Sequence, residues 1–398
     1  MKIKLFALLS LLFLCLLSIF VKSSSASFWE KTFGGSEIDI GNYIQQTRDG
    51  GYIIVGKTSS FGVDVTDVYL IKTDAKGNEV WSRTFGAIRY DEGLCVRQTR
   101  DGGYIIAGYI EPSGPGTDVY LIKTDANGNE IWSKTFGGTN YDKAYSVQQT
   151  YDDGYILVGY TQSFGSGSAD VYLIKTDTDG NEVWSKTFGG TEVDVGYSVQ
   201  LTNDGGYIIV GETSSFAGGQ LRMYLIKTDA NGNEVWQRAQ VYGIGYSVQQ
   251  TRVGGYIIGG TYPPNNYDAL LVKTDAYGYL VWSKTFGGQW HDIVYSLQQT
   301  HDQGYILTGF TNSFDSDYTA LNDVYLIKTD ADGNEVWSNT FGAPDSMEEG
   351  QYVIQNRDCE YVIVGSKNGD VYLISYLPPN DIESLCVKGQ PWLMLLLD

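Results

Sequence analysis

The phrase DVYLIKTDANGNEIWSKTFGG, residues 118–138, recurs in close copies down the chain. Its tryptophans are Trp29, Trp81, Trp132, Trp184, Trp236, Trp282 and Trp337, with successive gaps of 52, 51, 52, 52, 46 and 55 residues. A period near fifty restricts the fold to arrays of helical pairs or to radial β repeats. Short β-branched and aromatic runs separated by Gly, Asn and Asp, with no 3.6-residue stripe, exclude the helical array.

One unit, residues 144–188, contains four strand signals. AYSVQQT leads into the turn Asp152-Asp153-Gly154, and YILVGYT follows as an almost continuously apolar run, as a strand buried on both faces requires. A Gly/Ser-rich loop precedes DVYLIKT, and an acidic Gly turn returns the chain into EVWSKTF. In that last run Trp184, Lys186 and Phe188 share one side and Val183, Ser185 and Thr187 the other. Four antiparallel strands per unit make the blade of a β-propeller. Seven sets of first-to-third strands begin near Asn42, Leu94, Tyr145, Tyr197, Tyr246, Tyr295 and Gln351, and the last set has no Trp-bearing fourth strand after it. The lone FWEKTF at 28–33 supplies that strand by pairing with Val371–Ser375, because an open ring would leave two unpaired edges. The expected fold is all-β: a seven-bladed β-propeller, four antiparallel strands per blade, closed by the N-terminal strand in the last blade. Its bounds are 27–376, after a signal peptide at 1–26 and before a tail at 377–398.

The repeated phrase resembles two propeller families. GDVYLI with a Trp after a short turn looks like a kelch repeat, although here the doubled glycine (Gly50-Gly51, Gly102-Gly103, Gly205-Gly206) precedes the second strand. KTDANGNEVW resembles the tryptophan-docking phrase of quinoprotein-like propellers, in which the Trp packs between blades. The chain is also similar to extracellular propeller-repeat proteins of prokaryotes. WD repeats are excluded by the absence of Gly-His and Trp-Asp pairs.

Lys2 and Lys4, an apolar run from Leu5 to Val21, and Lys22 followed by Ser23-Ser24-Ser25-Ala26 form an export signal, or an uncleaved anchor. The expected location is therefore secreted or cell surface. With 47 acidic residues against 27 Lys and Arg, the net charge is −20, which repels nucleic acid and anionic lipid and suits cations, proteins or neutral glycans. No membrane insertion is expected beyond the signal segment, and the expected state is a monomer. Cys359 and Cys386 are free to pair in an oxidising compartment, while Cys95 stands where other units carry serine.

Two acidic series mark the strand starts. Asp39, Asp91, Asp142, Asp194, Asp292 and Glu348 head the first strands, with Gly243 breaking the series; Asp67, Asp118, Asp170, Asp268, Asp323 and Asp370 head the third strands, with Arg222 breaking theirs. They are expected as two concentric rings on one face. One reading is turn capping; the other is cation binding by the inner ring, calcium first, which would raise the melting temperature. Where both series break, Arg222, Tyr262, Tyr267, Trp290 and His291 are expected to gather as a ligand-binding sector for a protein or glycan, repeat decay being the alternative. The acidic Gly turns are read as two-residue hairpins with both central residues at positive φ, and the repeated Lys72, Lys123, Lys175, Lys227, Lys273 and Lys328 as reaching solvent.

His291 and His301 fall on opposite faces, and no phosphate loop or nucleophile elbow is present, so no catalytic residue is assigned. The expected function is a binding module whose contact surface is the acidic loop face. The alternatives are a quinoprotein-like or carboxylate-based enzyme, or a passive surface-coat unit.

Overall fold

The computed structural model describes residues 27–379, apart from 64, 87–88, 113, 217, 264–266 and 315–320. The signal segment and the tail beyond Pro379, including Cys386, lie outside the described residues. Cys359 is disulfide-bonded.

Seven four-stranded antiparallel sheets form, each in sequence order from first to fourth strand, and the seventh joins Ser27–Phe33 to the third strand at Asp370–Leu377. The closing register runs from Ser27 opposite Leu377 to Phe33 opposite Val371, with Trp29 opposite Ser375. Both ends of the propeller therefore lie in blade 7. Blade 1 spans 39–85, blade 2 91–136, blade 3 142–188, blade 4 194–238, blade 5 244–286 and blade 6 292–341. In each of these blades the first strand starts, and the second ends, on the face that carries the long loops. Among the described residues no helix is long and apolar enough to cross a membrane.

The second and third strands are buried almost throughout, as in Tyr52–Val55 and Leu70–Ile71, which fits their unbroken apolar runs. Fourth strands are the outer edge, and their tryptophans join neighbouring blades. Trp29 of blade 7 lies 6.5 Å from Tyr52 of blade 1, and Trp81 of blade 1 lies 6.0 Å from Tyr104 of blade 2. The same step repeats through Trp132–Tyr155, Trp184–Tyr207, Trp236–Tyr256, Trp282–Tyr305 and Trp337–Tyr361. Each such aromatic pair contributes about 1 kcal/mol beyond its buried area.

The tryptophan seat explains the acidic turn. In blade 1 the Asp74 carboxylate accepts the N–H groups of Lys76 and Asn78, and Gly77 N–H returns to the Asp74 carbonyl. Only Gly77 has positive φ, at 75°, and the ladder slips between Lys72 and Thr73. This is a bulged hairpin closed by an Asx bridge, rather than the expected pair of positive-φ residues. A Cβ on Gly77 would collide with the Trp29 ring, so the glycine supplies both the conformation and the space. The Asp74 carboxyl is held below its ordinary range by the Asn78 side chain and then the Asn78 N–H.

Candidate functional site

The inner acids are buried, and they work as loop clamps. One Asp39 oxygen accepts the Gly35 N–H at 2.8 Å and the Ser60 hydroxyl at 2.7 Å. Asp142 with Gly138 and Ser163, Asp194 with Gly190 and Ser215, and Asp292 with Gly288 and Ser313 repeat the clamp. Asp91 accepts the Glu111 N–H, and Glu348 accepts from Ser346 and pairs with Lys367 at 3.6 Å. All six are fully buried. These contacts follow the turn-capping reading: the carboxylates accept from loop N–H groups that have no strand partner. Among the described residues no three His, Cys, Asp or Glu side chains gather where they could hold a metal ion. The outer acids sit beside the inner ones instead of forming a separate ring. Asp118, Asp170, Asp268 and Asp370 have raised pKa values through burial first, with Asp142, Asp194, Asp292 and Asp39 respectively adding repulsion.

The residues expected as a ligand-binding sector make two sets of ring contacts. Arg222 lies 5.6 Å over the Tyr242 ring, and Tyr242 meets Tyr262 edge-on at 5.6 Å. The Tyr267 and His291 rings meet at a tilt, with centroids 5.3 Å apart. Tyr267 holds a φ of 52°, uncommon for an aromatic residue, and its carbonyl accepts the Asp292 N–H at 2.8 Å. Trp290 is 52 % exposed and Tyr267 40 % exposed, so the aromatic surface faces solvent. Its neighbours 264–266 lie outside the described residues.

A second site was not assigned from the sequence: the axial channel, a cavity of about 690 Å³ lined by the first strands of all seven blades. Each first strand slips register around one residue near its middle, for example between Ala144 and Ser146, Gly196 and Ser198, and Gly245 and Ser247; counted from the strand start in blade 3, that residue is the fourth. The bulge frees it from the ladder and re-aims it. Tyr145, Tyr197, Tyr246 and Tyr295 occupy that place in blades 3 to 6 and form an arc with centroids 5.0, 5.1 and 5.4 Å apart. The Tyr197 hydroxyl donates to Glu212 at 2.9 Å, and burial raises the pKa of both groups.

The two glutamines that end most first strands interlock the blades. Gln45 Oε1 accepts the Gln98 N–H, Gln200 the Gln250 N–H, Gln249 the Gln299 N–H and Gln298 the Gln355 N–H. In return Gln98 accepts the Arg48 N–H, Gln250 the Asn203 N–H and Gln299 the Arg252 N–H, each across one blade boundary. The signal was legible as the recurring QQ of AYSVQQT.

The lysines also differ from expectation. Lys72, Lys123, Lys175, Lys227 and Lys328 are buried and ion-paired, with distances of 2.6–3.0 Å to Asp49, Asp101, Asp152, Asp204 and Asp302. Each also donates to the next residue's carbonyl, as Lys72 does to Thr73.

Residues 66–253 match the repeat family PQQ_2, described as outer membrane protein assembly factor BamB. That match is compatible with the quinoprotein-like resemblance and gives the kelch resemblance no support. A regulatory protein of Caulobacter vibrioides, FlaEY, is 28 % identical over a stretch that covers 39 % of this chain and 19 % of that protein. The chain thus spans about a fifth of that relative. Among solved structures, the WD40 propeller domain of Doa1 superposes with a TM-score of 0.56 at 10 % identity, covering 88 % of this chain and 97 % of that one. The Neurospora crassa Pan2 WD40 domain gives 0.52 at 9 % identity, covering 87 % and 95 %. Sqt1 of Chaetomium thermophilum, bound to the N-terminus of ribosomal protein L10, gives 0.51 at 13 % identity, covering 86 % and 98 %. At such identities the likeness concerns the fold alone, which is shared without the WD sequence signature.

Proposed function

We propose that this chain is an exported binding module that recognises a protein or glycan through the loop face of blades 4 to 6. The observation that supports the reading is the exposure of Tyr262, Tyr267 and Trp290 at loops that follow, along the chain, the break in both acidic series at Arg222 and Gly243. Aromatic and arginine anchors on a rigid scaffold are the usual centre of a binding surface. The family description of an assembly factor, and the absence of a catalytic constellation from the sequence, agree with this role. Export rests on the N-terminal signal.

The test is an array of glycans and extracellular proteins probed with the purified chain and with Trp290→Ala. The expected result is a defined ligand class held by the wild type and bound about tenfold more weakly by the variant, with equal melting temperatures. Equal binding by the two proteins would remove this sector as the site.

A further inference from the structure

The channel holds a cation for which the described chain supplies no counter-charge. Arg97 stands in blade 2 where Gln45, Gln148, Gln200, Gln249 and Gln298 stand in five other blades. It lines the cavity, with its guanidinium 4.9 Å from the Tyr43 ring centroid. Its titratable neighbours are Tyr43, Tyr352 and Cys95, none of them a carboxylate. Its Nε is buried without a hydrogen-bond partner, and it forms no ion pair among the described residues. Arg97 is half-buried, and its buried guanidinium nitrogen is costly unless paired.

Two further features point the same way. Five of the nine arginines of the chain lie on or just beyond the channel strands: Arg97, and the exposed Arg48, Arg100, Arg252 and Arg357 at the mouth opposite the long loops. Arg357 donates to the Arg48 carbonyl at 3.2 Å, Arg48 to that of Arg100 at 3.1 Å, and Arg100 to that of Thr150 at 2.9 Å, so they follow the rim from blade to blade. Asp49 and Asp101, which follow Arg48 and Arg100, are engaged by Lys72 and Lys123, and Arg100 also pairs with Asp153. Four arginines thus stand at this mouth among turn aspartates, several of which are engaged by lysines. Along the throat, Gln45, Gln200, Gln249 and Gln298 are fixed through their oxygens, and their amide nitrogens donate to no protein acceptor among the described residues.

We propose that the channel binds a small organic carboxylate borne on a six-membered ring, with the carboxylate at Arg97 and the glutamine amides and the ring towards the tyrosine arc. A cavity of about 690 Å³ is of small-ligand size, and a carboxylate pairs with guanidinium through two parallel N–H donors.

The experiment is calorimetric titration and thermal melting of the whole exported chain with benzoate and with D-glucuronate, benzamide and D-glucose serving as uncharged counterparts. At least one acid is expected to bind, about tenfold or more tighter than its counterpart, to raise the melting temperature, and to weaken with added salt. Binding by benzoate alone assigns an aromatic ligand, and binding by glucuronate alone an acidic sugar. Arg97→Gln installs the residue of five other blades, so it is expected to melt no lower than wild type while losing about tenfold or more in affinity. The proposal is overturned if neither acid binds at millimolar concentration, if the uncharged counterparts bind equally, or if Arg97→Gln binds as well as wild type. A lower melting point for Arg97→Gln would also overturn it, because the arginine would then serve the fold without a ligand.

Discussion

Lys273 occupies the buried lysine position of blade 5, but Val253 replaces the aspartate that partners the lysines in five other blades. It bonds instead to the Thr251 hydroxyl at 2.6 Å and the Gly254 carbonyl at 3.0 Å. Burial without a carboxylate brings its pKa down to about 8. A depressed lysine pKa is a penalty on the charged folded state, present in full below pH 8 and relieved as the pH rises from there towards the unfolded value near 10.4. Val253→Asp is therefore expected to stabilise the protein by about 1 kcal/mol at pH 7, a figure discounted for the half-exposed ammonium. The gain should shrink between pH 8 and pH 10, which denaturant melts across that range would measure. A gain that grows with pH would contradict the assignment. The lysine pairing was hidden in the sequence because lysine and aspartate lie 23 residues apart in blade 1, across a whole hairpin. Only the sheet register, Ile53 opposite Lys72, brings them to the same end of the blade.

Within a blade, the hairpin turns show how one residue type serves two purposes. Gly50 and Gly77 of blade 1 have φ values of 88° and 75°, yet a Cβ on Gly50 would meet nothing within 4 Å, whereas one on Gly77 would strike Trp29. Gly50→Ala is expected to cost about 1 kcal/mol in left-handed backbone strain alone. Gly77→Ala adds the displacement of a packed tryptophan, a further 1–3 kcal/mol or so. Urea melts of the two variants check the difference, and equal losses would mean that the Trp29 seat is not tight. Strand order and turn positions were readable in the sequence because apolar runs and Gly/Asn/Asp breaks repeat seven times. The turn type was not, since an Asx bridge and a ladder slip turn Asn127-Gly128 into a bulged hairpin. The bulge on the first strand was equally unreadable, and it is what gives the channel its tyrosine arc.

The ring as a whole depends on one strand borrowed from the other end of the chain. Ser27–Phe33 covers the outer edge of blade 7, stacks Phe28 on Phe341 of blade 6 at 5.9 Å, and packs Trp29 against blade 1. Removing residues 1–33 would expose seven ladder positions and leave blade 1 without its tryptophan. The expected outcome is a loss of about 5–10 °C in melting temperature with broadening of the transition, together with edge-driven association. Calorimetry and light scattering on the truncated chain read both effects, and an unchanged melt would mean that closure adds nothing.

The sequence alone determined the number of blades, the strands within them and the closure, because each follows from a period and from an unpaired edge that must be filled. It also put Arg222, Tyr262, Tyr267, Trp290 and His291 at loops of neighbouring blades, of which Tyr267 and His291 meet. Tertiary structure decided the chemistry of the charged groups. Asp39 and its equivalents turned inward to bind loop N–H groups, and most of the repeated lysines were buried with their ammonium groups paired to aspartates at the surface. Arg97 was left in the channel without an acid. Charge and spacing in a chain do not specify which groups lose water, and that depends on which blades and loops close over them.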